Sequence, residues 1–205
     1  MRTTIGIDID NVIFDTGRLI LKYLKVEDVE ESYKKIYTHD IAKALSIDGD
    51  KVWEAVKKAV MEWGPPEVDG ASAGLQWLRT HFNTIFITSR PAQSDIVAMT
   101  YNSIFNLNSL PTLIEFKDSP DWKKSHIINH YDIPLMIEDD TRHAIDILYN
   151  TDADILLFDR PWNQGDWVSK DFLSRVNRVY SWEDACNYIM VNYKGDIECH
   201  SLEER

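Results

Sequence analysis

The stretch Ile5-Gly6-Ile7-Asp8-Ile9-Asp10-Asn11-Val12-Ile13-Phe14-Asp15 decides the fold. Its β-branched residues Ile5, Ile7 and Ile9 form a short apolar run of the kind that becomes a buried strand. Asp8 and Asp10 stand at the C-terminal end of that run. Side chains at i and i+2 of a strand share a face, so both acids are expected on one side. Open parallel sheets place their ligand crevice just beyond the carboxyl ends of their strands. Two carboxylates at such an end read as a site; the competing reading is a helix or turn cap.

The 205 residues suffice for one domain with a sizeable core and room for an insertion. Hydrophobic content is 44%, as in ordinary globular proteins. No run approaches the roughly 18 apolar residues of a membrane helix. Asp8 and Asp10 interrupt the N-terminal apolar segment, which argues against a signal peptide, so a cytoplasmic protein with no membrane partner is expected. Cys186 and Cys199 show no CxxC spacing, so neither a disulfide framework nor a zinc site is expected. A net charge of −12 argues against a general nucleic-acid binder, whose footprint is basic. A small phosphorylated substrate remains compatible, because a bound divalent cation supplies positive charge locally. Nothing in the sequence sets an oligomeric state.

Outward from the opening stretch, residues 16–63 carry no strand pattern. Leu19, Ile20, Tyr23 and Leu24 recur at helical spacing, as do Val52, Ala55, Val56, Ala59 and Val60 behind the capping candidates Asp48 and Asp50. The lysine-rich region 30–43 is expected to hold one further helix, and Glu62-Trp63-Gly64-Pro65-Pro66 stops the pattern. Residues 16–65 thus read as a small helical cap, residues 1–15 and 66–195 as the core domain, and 196–205 as a polar tail. From Val68 onward helix and strand alternate. Strands are expected over 84–89, 112–116, 134–137, 153–158 and 176–180, and helices over 71–82, 93–105, 121–131, 141–149 and 183–191. That rhythm implies an α/β, three-layer Rossmann-like fold with a parallel sheet.

Three apolar strands end in chemically loaded residues: Asp8 and Asp10, Thr88 and Ser89, and Glu138-Asp139-Asp140. Parallel strands end on one edge, so these groups should converge. Carboxylates, hydroxyls and a lysine suit a hard cation such as Mg²⁺, which takes oxygen ligands and bridges to phosphate. That is a site for moving a phosphoryl group. Read blandly, Thr88-Ser89 starts a turn, Glu138-Asp139-Asp140 caps a helix, and Lys124 is an exposed first-turn lysine. Asp15 is open between substrate contact and a cap. Tyr37, Trp53 and Trp63 are open between stacking on a base and packing in a core. The histidines show no metal-ligand spacing.

The order DxD, then hhhTS, then a helix-borne lysine, then hhhED(D) resembles the haloacid dehalogenase superfamily of aspartate-nucleophile phosphatases over residues 1 to about 190. Within it, the run from Asp8 to Asp15, the small helical insertion and the stretch Leu156-Leu157-Phe158-Asp159-Arg160-Pro161-Trp162-Asn163-Gln164 resemble the 5′(3′)-deoxyribonucleotidase, or 5′-nucleotidase type C, family. The resemblance implies that Asp8 is the nucleophile that becomes an aspartyl-phosphate. Asp10 is implied as general acid and then base, its pKa raised by neighbouring carboxylates. Asp8, the main-chain carbonyl of Asp10 and Asp139 would hold Mg²⁺, which offsets repulsion between phosphate and nucleophile. Thr88 is implied on a phosphate oxygen with Ser89 or Asn11 assisting, Arg90 and Asp15 on the substrate, and Lys124 on the developing charge, with Lys123 the alternative one residue away. Asn11 stands where relatives often carry Gly or Thr, and Glu138 where Asp is frequent. Whether Glu138 or Asp140 also touches the metal stays open.

The function this implies is a Mg²⁺-dependent phosphomonoester hydrolase acting on nucleoside or deoxynucleoside monophosphates. The alternatives are a phosphatase for another small metabolite and a catalytically silent phosphate-binding protein. A dehalogenase is disfavoured because Asp10 would have no proton to move. A two-component receiver domain is disfavoured because its phosphorylated aspartate does not end the first strand, and it needs no cap.

Overall fold

In a computed structural model, which describes residues 2–107 and 113–193, the opening isoleucines form β1 (Thr4–Ile7), an inner strand of a six-stranded sheet. The other strands are β2 (Asn83–Pro91), β3 (Ile114–Lys117), β4 (Leu135–Glu138), β5 (Asp154–Phe158) and β6 (Val176–Val179). Nine α-helices accompany them among the described residues: α1 (Thr16–Leu24), α2 (Val29–Lys34), α3 (Ile41–Leu45), α4 (Gly49–Val60), α5 (Ala71–His81), α6 (Ser94–Asn106), α7 (Lys124–His130), α8 (Thr141–Asn150) and α9 (Trp182–Asn192). The strand order is β3-β2-β1-β4-β5-β6, and every pair is parallel. This is the α/β, Rossmann-like architecture that the alternation of elements implies.

The pleat sends successive residues to opposite faces. Ile5, Ile7, Phe86, Leu135, Ile137, Leu156 and Phe158 share a core with α5 and α9, while Ile85, Ile87, Met136, Ile155 and Leu157 pack with α7 and α8. Each fully buried side chain of this size contributes about 1.5–3 kcal/mol over an exposed one. Gly74 lets α5 meet α9, since a Cβ there would come within 2.4 Å of the Trp182 ring. The Trp182 indole N–H in turn donates to the carbonyl of Val12 at 2.9 Å, which pins the loop leaving β1. No helix among the described residues is long and apolar enough to cross a membrane.

The topology fixes where a site can form. From β1 the sheet grows through β2 and β3, and the chain then returns to the other flank of β1 with β4. The connections leaving β1 and β4 diverge, opening a crevice at their carboxyl ends.

Several expectations need correcting. β1 ends at Ile7, so Asp8 and Asp10 follow the strand rather than share one of its faces. Region 30–43 contributes to two short helices, α2 and α3, where one was expected. The overlooked start signal is Asp40, whose carboxylate accepts the Lys43 N–H at 3.0 Å. The helix expected from residue 121 begins only at Lys124, because Lys123 is extended at φ −139° and ψ 143°. Thr112, Cys199 and the tail 196–205 lie outside the described residues.

Candidate active site

The floor of the crevice is built from strand ends. Lys124, at the start of α7, is fully buried and its ammonium contacts Asp8 Oδ1, the first residue past β1, and Glu138 Oε2, the last of β4, at 2.6 Å. Glu138 Oε1 accepts the main-chain N–H groups of Asp139 at 3.1 Å and Asp140 at 3.0 Å. Asp8, Glu138 and Asp139 offer oxygens that all lie within 4.8 Å of one another. Three carboxylates crowd together while one ammonium pairs with two of them, Asp8 and Glu138, and the titration shifts follow from that imbalance. Burial, despite Lys124 and with Glu138 and Asp10 adding repulsion, pushes Asp8 up to about 7. Burial and then the Asp8 charge push Asp139 well above the ordinary range. Lys124 is also raised, because its two anionic partners outweigh the burial that opposes its charge.

Asp10 behaves differently. The Arg90 guanidinium, with its side chain 3% exposed, forks onto it with Nε to Oδ2 at 3.0 Å and Nη2 to Oδ1 at 2.7 Å. The Thr16 hydroxyl adds a bond to Oδ1 at 2.6 Å. Burial alone would raise this carboxyl, but the fork and the hydroxyl overcome it and hold Asp10 below the ordinary range. The raised pKa implied for Asp10 is therefore corrected: its immediate neighbour is a cation.

A loop after β5 closes the other flank. Asn11 sits in the left-handed region at φ 59°, donates from Nδ2 to Asp139 Oδ2 at 3.3 Å, and accepts the Gly17 N–H at 2.7 Å. Arg160 donates to the Asn11 carbonyl from Nε at 3.0 Å and Nη2 at 2.5 Å. The Trp162 indole N–H donates to Asp139 Oδ2 at 3.0 Å, and Asn163 Nδ2 donates to the Asp139 carbonyl at 2.9 Å.

Above this floor lies a cavity of about 860 Å³. Its opposite wall comes from α1, α3 and α4: Ile20, Ile41, Trp53, Val56 and Val60. Ser89, Gln93 and Lys117 line it from the core side. His39, in the loop between α2 and α3, reaches the core, with Nε2 3.2 Å from Asp140 Oδ1. Burial pushes His39 and His143 down to about 4, so both are neutral at pH 7.

The structure brings Asp8, Asp10, Asn11, Ser89 and Asp139 to this cavity, with Lys124 beneath them. Lys123 is the exposed alternative, paired at 3.7 Å with Asp146. Thr88 is fully buried, and its hydroxyl accepts the Arg90 N–H at 3.2 Å, so the hydroxyl open to the cavity is that of Ser89. Arg90 is committed to Asp10 and to Thr100 rather than left free for a ligand. Asp15 caps α1 and pairs with Arg18 at 3.0 Å, and does not line the cavity. Asp140 caps α8 and pairs with Arg142. Trp53, Tyr37 and Trp63 are 59%, 63% and 62% exposed, so none is core, and of the three Trp53 alone lines the cavity. Sequence reasoning assigned no role to Thr16, His39, Arg160, Trp162 or Asn163. The stretch Arg160-Pro161-Trp162-Asn163 was a visible signal, but its partners are remote in sequence.

No protein-family model matches the chain. It is 23% identical over 190 residues to "Putative nucleotidase YqfW" of Bacillus subtilis (strain 168), an alignment covering 92% of this chain and 94% of that protein. It superposes on a haloacid dehalogenase-like family hydrolase from Streptococcus pneumoniae with TM-score 0.60 and 14% identity, covering 92% of this chain and 98% of that one. On the "putative HAD-hydrolase YfnB" of Bacillus subtilis, solved bound to magnesium, the TM-score is 0.58 and the identity 15%, covering 92% and 98%. Strand order, the loaded ends of β1 and β4, and these superpositions agree: the chain has the fold of the haloacid dehalogenase superfamily hydrolases.

Proposed function

We propose that the chain is a Mg²⁺-dependent phosphomonoester hydrolase that works through an aspartyl-phosphate on Asp8, with nucleoside or deoxynucleoside monophosphates as substrates. The observation that carries this reading is the charge of the floor. Asp8, Glu138 and Asp139 with Lys124 sum to −2 when ionised, in a buried, all-oxygen setting. A hard divalent cation fits that donor set. Asp8 and Asp139, with the main-chain carbonyl of Asp10, are the groups to hold it. Bound there, the ion supplies the positive charge that lets a phosphate dianion approach an aspartate.

The residues divide the remaining work. Asp8 forms the bond to phosphorus as the bond to the leaving oxygen breaks, and Lys124 keeps its oxygen oriented. Asp10 in its protonated form gives a proton to the leaving oxygen, and as the carboxylate then takes one from the water that splits the acyl-phosphate. The Arg90 fork favours the second of these states. Ser89 is the free hydroxyl for a phosphate oxygen. Residues 16–65 act as the cap: their apolar wall faces the charged floor, which orients an ester with its phosphate down and its organic part against Trp53 and Val56. An exposed tryptophan there suits a flat, aromatic leaving group, and the nucleotidase description of the Bacillus subtilis relative supports the same choice.

The test is phosphate release from a panel of nucleoside monophosphates and sugar phosphates, with and without Mg²⁺, for the wild type and Asp8→Asn. Turnover that requires Mg²⁺, favours nucleotides and vanishes in the variant is expected. Release from sugar phosphates alone would leave the chemistry standing and overturn the nucleotidase assignment. Turnover retained by Asp8→Asn would overturn the aspartyl-phosphate.

A further inference from the structure

Trp162 occupies a place that the proposed chemistry leaves unused. It lies in a single 3-10 turn, Pro161–Asn163, after β5, and is 8% exposed. Its indole N–H donates to Asp139 Oδ2 at 3.0 Å, the same oxygen that accepts Asn11 Nδ2. Among the described residues no donor reaches Asp139 Oδ1. An indole is a donor without an acceptor, so it can restrain a carboxylate but cannot compete with that carboxylate for a cation. Its ring meets the inserted helices: Tyr33 of α2 packs edge-on with centroids 5.5 Å apart at 76°, and the His39 ring lies 6.1 Å away. Leu21 and Ile36 complete the cluster in which the ring is buried.

We infer that Trp162 is a positioning residue for Asp139. Its N–H fixes Oδ2 and thereby presents Oδ1 to a divalent cation, while its ring seats the α1–α2 segment, so that one side chain joins the cap to the acidic floor. This rests on the reading of the floor as a cation site. Residues that orient metal ligands through a hydrogen bond commonly change metal affinity by about 10–100-fold when removed. A residue that merely filled space would not do so if its ring were kept.

Trp162→Phe keeps an aromatic ring and deletes the donor; Trp162→His keeps a ring N–H on a smaller ring. Mn²⁺ is the probe, titrated into the full chain at neutral pH and followed by the electron paramagnetic resonance of the free ion, with near-ultraviolet circular dichroism to verify packing. The expected result is a rise of about 10-fold in the Mn²⁺ Kd for Trp162→Phe, partly recovered by Trp162→His, with the dichroism retained. A Trp162→Phe protein that binds Mn²⁺ as the wild type does would overturn the inference and leave the cation reading intact. Equal losses in both variants would assign Trp162 to packing and overturn it too. A wild type that binds no Mn²⁺ would remove the cation reading and this inference together.

Discussion

At the floor of the cavity Lys124 and Glu138 have no exposure, and Asp8 and Asp139 keep 5% and 4%; on the wall facing them Trp53 is 59% exposed. The two regions are held by different forces. The floor hangs on β1, β4 and α7, elements packed in the two main cores, so its charges are fixed by backbone they cannot escape. The wall belongs to the segment α1–α4, whose helices are too short to persist alone, α2 and α3 being only six and five residues long. Each of the four begins behind an aspartate, Asp15, Asp28, Asp40 or Asp48, whose carboxylate accepts a first-turn N–H. Such caps are worth about 1 kcal/mol each. By contrast α5, α6 and α7 have no side-chain cap bond and depend on packing. Electrostatic crowding is therefore concentrated where the fold is most deeply buried, and the helices of the opposite wall are capped by their own local sequence.

That contrast is broken most directly by removing one lysine from each side. Lys124→Met strips the floor of its shared cation, and a loss of about 3–5 kcal/mol is expected by denaturant titration of the metal-free protein. Lys57→Met, on the wall and paired with Glu54 at the surface, is expected to change stability by about 0.5 kcal/mol or less. Equal costs would erase the distinction.

Stability against pH sharpens the same comparison. Asp8 is pushed from 3.8 to about 7, so the stability it contributes is complete below 3.8 and lost as the pH rises through about 7; Asp139, raised well above 3.8, acts in the same sense. His39 and His143 act in the opposite sense. Lowered by burial from 6.5 to about 4, they contribute stability that is present above 6.5 and lost as the pH falls through about 4. Asp139→Asn leaves both histidines in place and relieves one crowded acid. It is expected to raise the thermal midpoint of the metal-free protein at neutral pH and to shrink the further gain on adding Mg²⁺. A lower midpoint with an undiminished Mg²⁺ gain would contradict the crowding described for the floor.

The smallest effect on stability belongs to the wall. Trp53→Ala is expected to alter the unfolding free energy by about 0.5 kcal/mol or less, yet to raise KM for a nucleoside monophosphate several-fold with kcat nearly unchanged. A fall in kcat at constant KM would place Trp53 in the chemistry rather than in the binding of the leaving group.

Much of this was legible along the chain. Buried β-branched runs, their spacing and the acids at their ends are local features, and parallel order follows from the alternation of elements. The resemblance favours Lys124 over Lys123, and the structure buries the first and exposes the second. Other readings failed for identifiable reasons. Asp10 sits among acids in the sequence, but its strongest neighbour is Arg90, 80 positions away. Thr88 and Ser89 are adjacent and chemically alike, and the pleat turns only Ser89 to the cavity. Asp40 was one more acid in a charged stretch until its bond to the Lys43 N–H marked a helix start.

The sequence by itself determined the α/β order and the strand ends that carry the acids, because strand period and strand-end placement are properties of short segments; it is the resemblance to the superfamily that singles out Asp8, Lys124 and Asp139 among the candidates. Only the tertiary structure decided how those groups are paired. Arg160 reaches the Asn11 carbonyl across 149 positions, Trp162 reaches Asp139 across 23, and Glu138 shares Lys124 with Asp8. A hydrogen bond is settled within a few tenths of an ångström, and that distance is set by how strands, helices and loops far apart in the chain pack together.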